Sequence, residues 1–242
     1  MNTNDSLLVI GNIEAVVVQK NIKNLHLSVL PPNGMVKVTA PIGTKEDVIR
    51  VFLTSKSSWI KKQQVKYINQ RRQFKREYVT GETHYYLGQP YRLIVKNDAD
   101  KNKIYIKGKR TIMLEVKSKT SNTQKERIVT EWYRVELKNL LNELIKKWQP
   151  KFKTSPESWK IRRMKTKWGS YNTKTNKILI NLELIKKPYN CIEYVVVHEW
   201  LHLIEPKHNK HFVELLDKYL PNWRARKEEL DAFILSYEKW KQ

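Results

Sequence analysis

The sequence predicts an α+β fold, in which a β-rich N-terminal part with one long basic helix precedes a helical part carrying a small sheet. Three features predict it. Between Glu14 and Val116 the chain is broken into short β-branched and aromatic runs separated by Gly, Pro and Asn, the pattern of strands and turns. From Thr123 to Trp148 it carries a long amphipathic pattern that Pro150 stops. Composition shifts near residue 120 from β-rich to helix-rich, which places the expected boundary between 1–120 and 121–242.

Glu14–Gln19 and Leu25–Leu30 are β-rich, and Met35–Ala40 alternates apolar and polar positions. Pro31-Pro32-Asn33-Gly34 reads as a hairpin-like connection, and Pro41-Ile42-Gly43 breaks the strand that follows. Thr44 with Asp47 resembles a capping box in which Asp replaces Glu. It opens the long helix, expected to reach about Lys75 with Val48, Phe52, Trp59 and Ile60 among its apolar positions. The far half of that helix, Lys61–Arg76, is strongly basic, and such a run is ordinarily a solvated face. Four strands are then expected at Thr83–Leu87, Tyr91–Val95, Lys103–Ile106 and Thr111–Val116, with Lys117–Asn122 as a polar linker. Thr123 and Glu126 form a second capping signal, for the helix to Trp148. Strands follow near Trp159–Arg163 and at Lys177–Leu182. Pro188 precedes a helix at Ile192–Leu203, Glu205-Pro206 stops it, and further helices are expected at His208–Leu220 and from Pro221 towards Trp240. The sequence displays no internal repeat.

With 242 residues, 40% of them hydrophobic, the chain can bury a core. No apolar run approaches the ~20 residues of a membrane span. The N-terminus, MNTNDSLLVIGN, lacks Lys and Arg and is a poor secretory signal. A single cysteine, Cys191, forms no internal disulfide, so a cytoplasmic protein is expected. The formal charge is +23, unevenly spread. Glu193–Gln242 hold 8 basic and 9 acidic residues, which leaves 39 basic and 15 acidic residues, net +24, in 1–192. A field of that sign attracts anionic partners, so non-specific nucleic-acid association through the basic N-terminal region is one expectation. Simple surface solubility is the other, because no base-reading motif is present.

The chemistry is concentrated near the C-terminus. Of six histidines, four (His198, His202, His208 and His211) lie within 14 consecutive positions. His198-Glu199-Trp200-Leu201-His202 is an H-E-x-x-H pattern on an expected helix. Residues four apart share a helix face, so both imidazoles can reach one ion, while Glu199 flanks it and can hold a water. A catalytic zinc needs a third protein ligand and an open position. On spacing alone His208, His211 and Glu214 all qualify. Such a pattern also arises by chance in helices. Here the apolar run Tyr194-Val195-Val196-Val197 precedes it, and burying two His and a Glu is costly unless a metal or partners satisfy them. Glu205 stands where a metzincin has Gly, and Met1, Met35, Met113 and Met164 all precede the motif, so that signature is not met.

Met164-Lys165-Thr166-Lys167-Trp168-Gly169-Ser170, Ile178-Leu179-Ile180-Asn181, Tyr194–His202 and Glu205–His208 stand in a recognisable order. They match a W-G-S element, an I-x-L-N strand, H-E-x-x-H and a third His six residues on. In this the chain resembles the YgjP-like metallopeptidases, relatives of the SprT-like group, strongly over about 155–225. The resemblance implies a zincin-type, cytoplasmic peptidase acting on peptide or protein substrates. It implies His198, His202 and His208 as Zn2+ ligands and Glu199 as catalytic base. Three positions depart from the family pattern: Tyr171 where Cys is usual, Ile180 in place of Leu, and Trp200 in place of Leu. None removes a ligand; Tyr171 and Trp200 bear on the pocket. Trp168 reads as a core aromatic, Gly169 as a turn residue and Cys191 as a small buried residue. The strand Lys177–Leu182 is expected to take an extended substrate as an added strand. The oxyanion-stabilising group stays open among Tyr171, His211 and the nearby lysines. The competing expectation is a basic nucleic-acid-associated protein with a structural or vestigial metal site, although such sites ordinarily close four ligands around the ion.

Overall fold

The chain contains two four-stranded sheets of the same strand order. The computed structural model describes residues 5–30, 34–68, 76–164 and 167–232. It divides into two compact units, within 1–74 and within 75–238. In the first, β1 (Asp5–Ile10), β2 (Ile13–Lys20), β3 (His26–Leu30) and β4 (Met35–Pro41) are ordered β1-β2-β4-β3. The outer pairs are antiparallel and the central β2–β4 pair is parallel. Alternation along the strands puts Ala15, Val17, Val36, Val38 and Ala40 on one buried face. There they meet Ile49 and Leu53 of α1 (Glu46–Ser55) and Ile60 of α2 (Ser57–Ile68).

The single long helix expected from Thr44 is therefore two, broken at Lys56, and residues 69–75 lie outside the described residues. The cause is local. Thr54 Oγ1 donates to the Arg50 carbonyl at 2.9 Å and Ser55 Oγ to that of Phe52 at 2.8 Å, bonds that compete with the helical ladder. The expected capping box does not form either. Thr44 Oγ1 donates backwards to the Pro41 carbonyl at 2.7 Å, and Lys45 is the N-cap without a side-chain bond. Val48 and Trp59 are exposed, because Ile49 and Leu53 take the inward positions.

In the second unit β5 (Thr83–Tyr86), β6 (Gln89–Lys96), β7 (Lys103–Lys107) and β8 (Thr111–Glu115) are ordered β5-β6-β8-β7, again with a parallel central pair. The repeat invisible in the sequence is thus present in the topology. Leu87 and Gly88, at φ 47° and 78°, make the two-residue turn between β5 and β6. A Cβ on Gly88 would lie 2.7 Å from Pro188, so glycine is required there by space as well as by conformation. α3 (Asn122–Trp148) has its N-cap two residues earlier than expected, because Ser121 and Gln124 form the capping box, with bonds of 3.3 and 2.8 Å. The composition change at 120/121 falls inside this unit, because Leu93, Ile112, Leu114 and Val116 of the sheet share one core with Leu137, Leu141 and Leu144 of α3.

The remainder follows α3 in the chain. β9 (Ser158–Arg162), β10 (Gly169–Asn172) and β11 (Lys177–Asn181) form a sheet ordered β10-β11-β9, followed by α4 (Tyr189–Leu201), α5 (Lys210–Tyr219) and α6 (Trp223–Ala232). Glu193 of α4 ties three helices together. It accepts from Lys147 Nζ at 2.7 Å and Trp148 Nε1 at 3.0 Å on α3, and from Arg226 Nη1 at 2.5 Å on α6. Burial alone would raise its carboxyl, but these donors hold it below the ordinary carboxylate range. No helix among the described residues is long and apolar enough to cross a membrane.

Candidate active site

α4 is apolar on nearly every side, and Ile192 through Val197 are buried. It starts immediately after Pro188, whose fixed φ suits a helix entrance. The buried helix delivers His198, Glu199 and, at its C-cap, His202 to one place. The chain then turns through Leu203–Pro206 and brings His208 back towards the same face. Asn209 caps α5, its Oδ1 accepting the Phe212 N–H at 3.0 Å.

Three imidazoles converge there. His198 Nε2 and His208 Nε2 are 3.0 Å apart, and one ligand atom from each of His198, His202 and His208 lies within 4.8 Å of the others. Phe212 floors the cluster, its ring 5.0, 4.7 and 4.9 Å from the rings of His198, His202 and His208. His202 Nδ1 lies 3.1 Å from the Glu205 carbonyl oxygen; an N–H there donates to it and leaves Nε2 free as a ligand. Burial, with the neighbouring imidazoles, pushes His198 down to about 3, and burial lowers His202. Both are therefore neutral near pH 7, the form that binds metal. Two nitrogens bound tetrahedrally at about 2.0–2.1 Å stand about 3.3 Å apart, so the cluster fits one ion and could hold it. His211 and Glu214 are exposed and face each other at 3.7 Å, outside the cluster.

Glu199 is 6% exposed, packed beneath β10. An ideal Cβ on Gly169 would lie 2.5 Å from Glu199 Cγ and 2.6 Å from Oε1. Gly169 is thus not a turn residue but the strand position that leaves room for this carboxylate. Burial pushes Glu199 up to about 7, against the Lys167 charge and the Tyr171 backbone N–H.

The residue that sequence reasoning missed is Asn181. Wholly buried, it donates from Nδ2 to the carbonyls of Met164 and Lys167, both at 2.8 Å. Its Oδ1 accepts the N–H groups of Met164 and Glu183, both at 3.2 Å, and its own N–H donates to the Trp168 carbonyl at 2.9 Å. Asn181 thereby fixes the segment that leads into β10. The Asn that ends the I-x-L-N element was the available signal.

Other expectations need correction. β11 has a strand on both sides, β10 antiparallel and β9 parallel, so it cannot accept a substrate strand; β10 is the edge beside Glu199. Trp200 does not reach the pocket. It is buried, stacks on Phe152 at 5.1 Å and donates to the Thr154 carbonyl at 2.8 Å. The Tyr171 hydroxyl donates to Asn176 Oδ1 at 3.1 Å. Trp168 is half-buried against the core, with Lys187 Nζ 5.4 Å from its ring. Cys191 is a small buried residue as expected, its thiol pushed up to about 12 by burial.

A helix that offers two imidazoles and a carboxylate, met by a third imidazole from the next turn, is built as metallopeptidases build their centres. A family model described as YgjP-like, metallopeptidase domain, matches residues 23–233. The chain belongs to that family and is a metallopeptidase. One solved structure, the metallopeptidase zymogen of Methanocaldococcus jannaschii jannalysin, matches at 20% identity, covering 38% of this chain and 91% of its own, with a TM-score of 0.32. A likeness at that level carries no weight for the fold. No curated protein matches the chain.

Proposed function

We propose that the chain is a zinc-dependent peptidase in which His198, His202 and His208 hold the ion and Glu199 is the general base. The observation that carries this reading is the convergence of three imidazole nitrogens at the end of a helix that also carries the buried carboxylate of Glu199. When bound, zinc supplies Lewis acidity to the scissile carbonyl and to water. Glu199 takes the proton of the attacking water on its carboxylate and returns it to the leaving amine. A carboxyl near neutrality suits both transfers. The edge of β10 holds the substrate in extended form through its backbone. With the Tyr171 hydroxyl engaged by Asn176 and His211 facing Glu214, Lys167 is the group assigned to the developing oxyanion. Family membership favours a peptide or protein substrate over the nucleic-acid-associated alternative, and a cytoplasmic setting belongs to the same reading.

Glu199→Gln tests the base. The variant keeps the side chain's size, so zinc content should be unchanged while hydrolysis of a generic casein substrate falls by ~10²–10⁴. Full turnover in a zinc-loaded Glu199→Gln protein removes Glu199 from the mechanism. Chelation should abolish activity, and zinc should restore it.

A further inference from the structure

The second sheet ends in an open edge. β7 pairs with β8 on one side, and no strand among the described residues pairs with its other side. Beside it lies a cleft of about 760 Å3, lined by Ile104 of β7 with Asn102 just before it, by the loop before α3, and by α3. Helix positions Gln124, Ile128, Glu131 and Val135 line it at spacings of three and four, which keeps one helix face along its length. A helix rises about 16 Å over that interval, the span of about five strand residues. β7 is itself 5 residues long.

The walls have a definite chemistry. Ile104, Ile128, Trp132 and Val135 make an apolar floor, and Val135 is 54% exposed within it. Lys117, Lys119 and Arg127 stand around that floor, and none of the three is in an ion pair among the described residues. The acid present, Glu131, lies 3.4 Å from Arg134 and is already compensated. Exposed Lys103 and Lys107 bracket β7. Such lysines keep an edge from pairing with its own kind and at the same time suit an acidic strand. Lys119 sits at φ 62°, in the left-handed region, conformational strain of the kind that gathers at binding loops.

We propose that this cleft docks an extended peptide segment, which adds to β7 as a fifth strand. Its Asp or Glu side chains meet Lys117, Lys119 and Arg127, and its apolar side chains meet Ile128 and Val135. The open edge offers N–H and C=O groups that match a peptide backbone. Trp132 reaches the cleft floor but is only 8% exposed, too little for a nucleic-acid base to stack on, so the apolar floor favours peptide. The cleft shares no residue with the imidazole cluster, and the proposal stands apart from the hydrolytic reading.

The test uses the full chain carrying Glu199→Gln and a fluorescein-labelled peptide alternating Val and Glu, followed by anisotropy at ~150 mM salt, where exposed charges beyond ~8 Å are screened. Saturable binding is expected, weakened at least ~10-fold by the double variant Lys119→Glu/Arg127→Glu and by Val135→Glu, given what close charge pairs contribute to binding. A peptide with Lys in place of Glu, and one N-methylated on alternate amides, should not bind. Lys119, Arg127 and Val135 are all exposed, so thermal midpoints and metal content should match the Glu199→Gln parent. Absence of saturable binding overturns the proposal. So does equal binding of acidic and basic peptides, full binding by both variants, or displacement by single-stranded DNA as effective as by unlabelled peptide.

Discussion

Gly169→Ala isolates the contact between β10 and the proposed base. Gly169 does not sit in the left-handed region, so alanine keeps the strand conformation and the methyl group alone is at issue. That methyl would lie 2.5 Å from Glu199 Cγ, 2.6 Å from Oε1 and 2.8 Å from Cδ, where ordinary contact begins near 3.4 Å. The carboxylate stem or the strand must therefore retreat by about 0.9 Å. A displacement near 1 Å at a reacting group costs ~10²-fold in rate, and overpacking of this kind costs about 1–3 kcal/mol. The variant should hydrolyse peptide ~10²-fold more slowly, with unchanged metal content by mass spectrometry, since no imidazole is touched. A double-mutant cycle separates the contact from general damage. Glu199→Ala removes Cγ, Cδ and Oε1, so in that background Gly169→Ala should cost almost nothing in stability. Parent-like hydrolysis by Gly169→Ala, or an equal loss of stability in both backgrounds, refutes the reasoning.

Three further outcomes are expected. His208→Ala should lose most of its bound metal while His211→Ala keeps it; the reverse, measured by metal analysis, moves the third ligand. Asn181→Asp deletes the two Nδ2 donations at 2.8 Å and sets a carboxylate against two carbonyls. The stability loss should be about 2 kcal/mol or more, and hydrolysis should fall with metal retained; a fully active Asn181→Asp protein would show that Asn181 does not position β10. His84 is buried, and burial followed by the Arg76 charge pushes it down to about 4. A histidine whose folded value is lowered contributes stability above its unfolded value near 6.5 that is lost as pH falls towards 4. His84 should therefore account for a loss on the order of 3 kcal/mol over that window, read as the difference between the parent and His84→Gln, since His198, His202 and Glu199 also titrate in chelator-treated protein. His84→Gln should flatten this slope, and an unchanged slope in thermal midpoints assigns it to other groups.

The sequence was most legible where local pattern and chemistry coincide. Alternation marked β2, β3, β4 and β5 to β8 to within a few residues, and Pro150 and Pro188 bounded α3 and α4. The H-E-x-x-H spacing located the imidazoles because four residues make about one helical turn. Pairing order was not legible. That β11 is central and β10 an edge depends on which distant segments meet, and no property of Lys177–Leu182 alone records it. Spacing could not choose among His208, His211 and Glu214; of these only His208 precedes Asn209, which caps α5 and leaves His211 and Glu214 exposed on that helix. The capping signals at Thr44 and Thr123 failed for a related reason. Thr44 bonds back to Pro41, and Ser121 with Gln124 had already satisfied the helix entrance ahead of Thr123.

The floor that Phe212 provides beneath all three imidazoles has a consequence for turnover of the protein itself. On the proposed ligand set, His198 and His202 come from α4 and its C-cap, whereas His208 and Phe212 lie on the segment that Asn209 caps into α5, so a bound ion would act as a clasp between two helices. The state that metal would then oppose is an opening of the segment Glu205–Lys210 that withdraws His208 and lets the ion go. At a free-metal level of about 100 times the dissociation constant, that opening is harder by about 2.7 kcal/mol, roughly a hundredfold in the population open to attack. Amide exchange along α5 would then report metal supply directly. On the same reading, a chain starved of its ion would be more open to proteolytic attack than the loaded form.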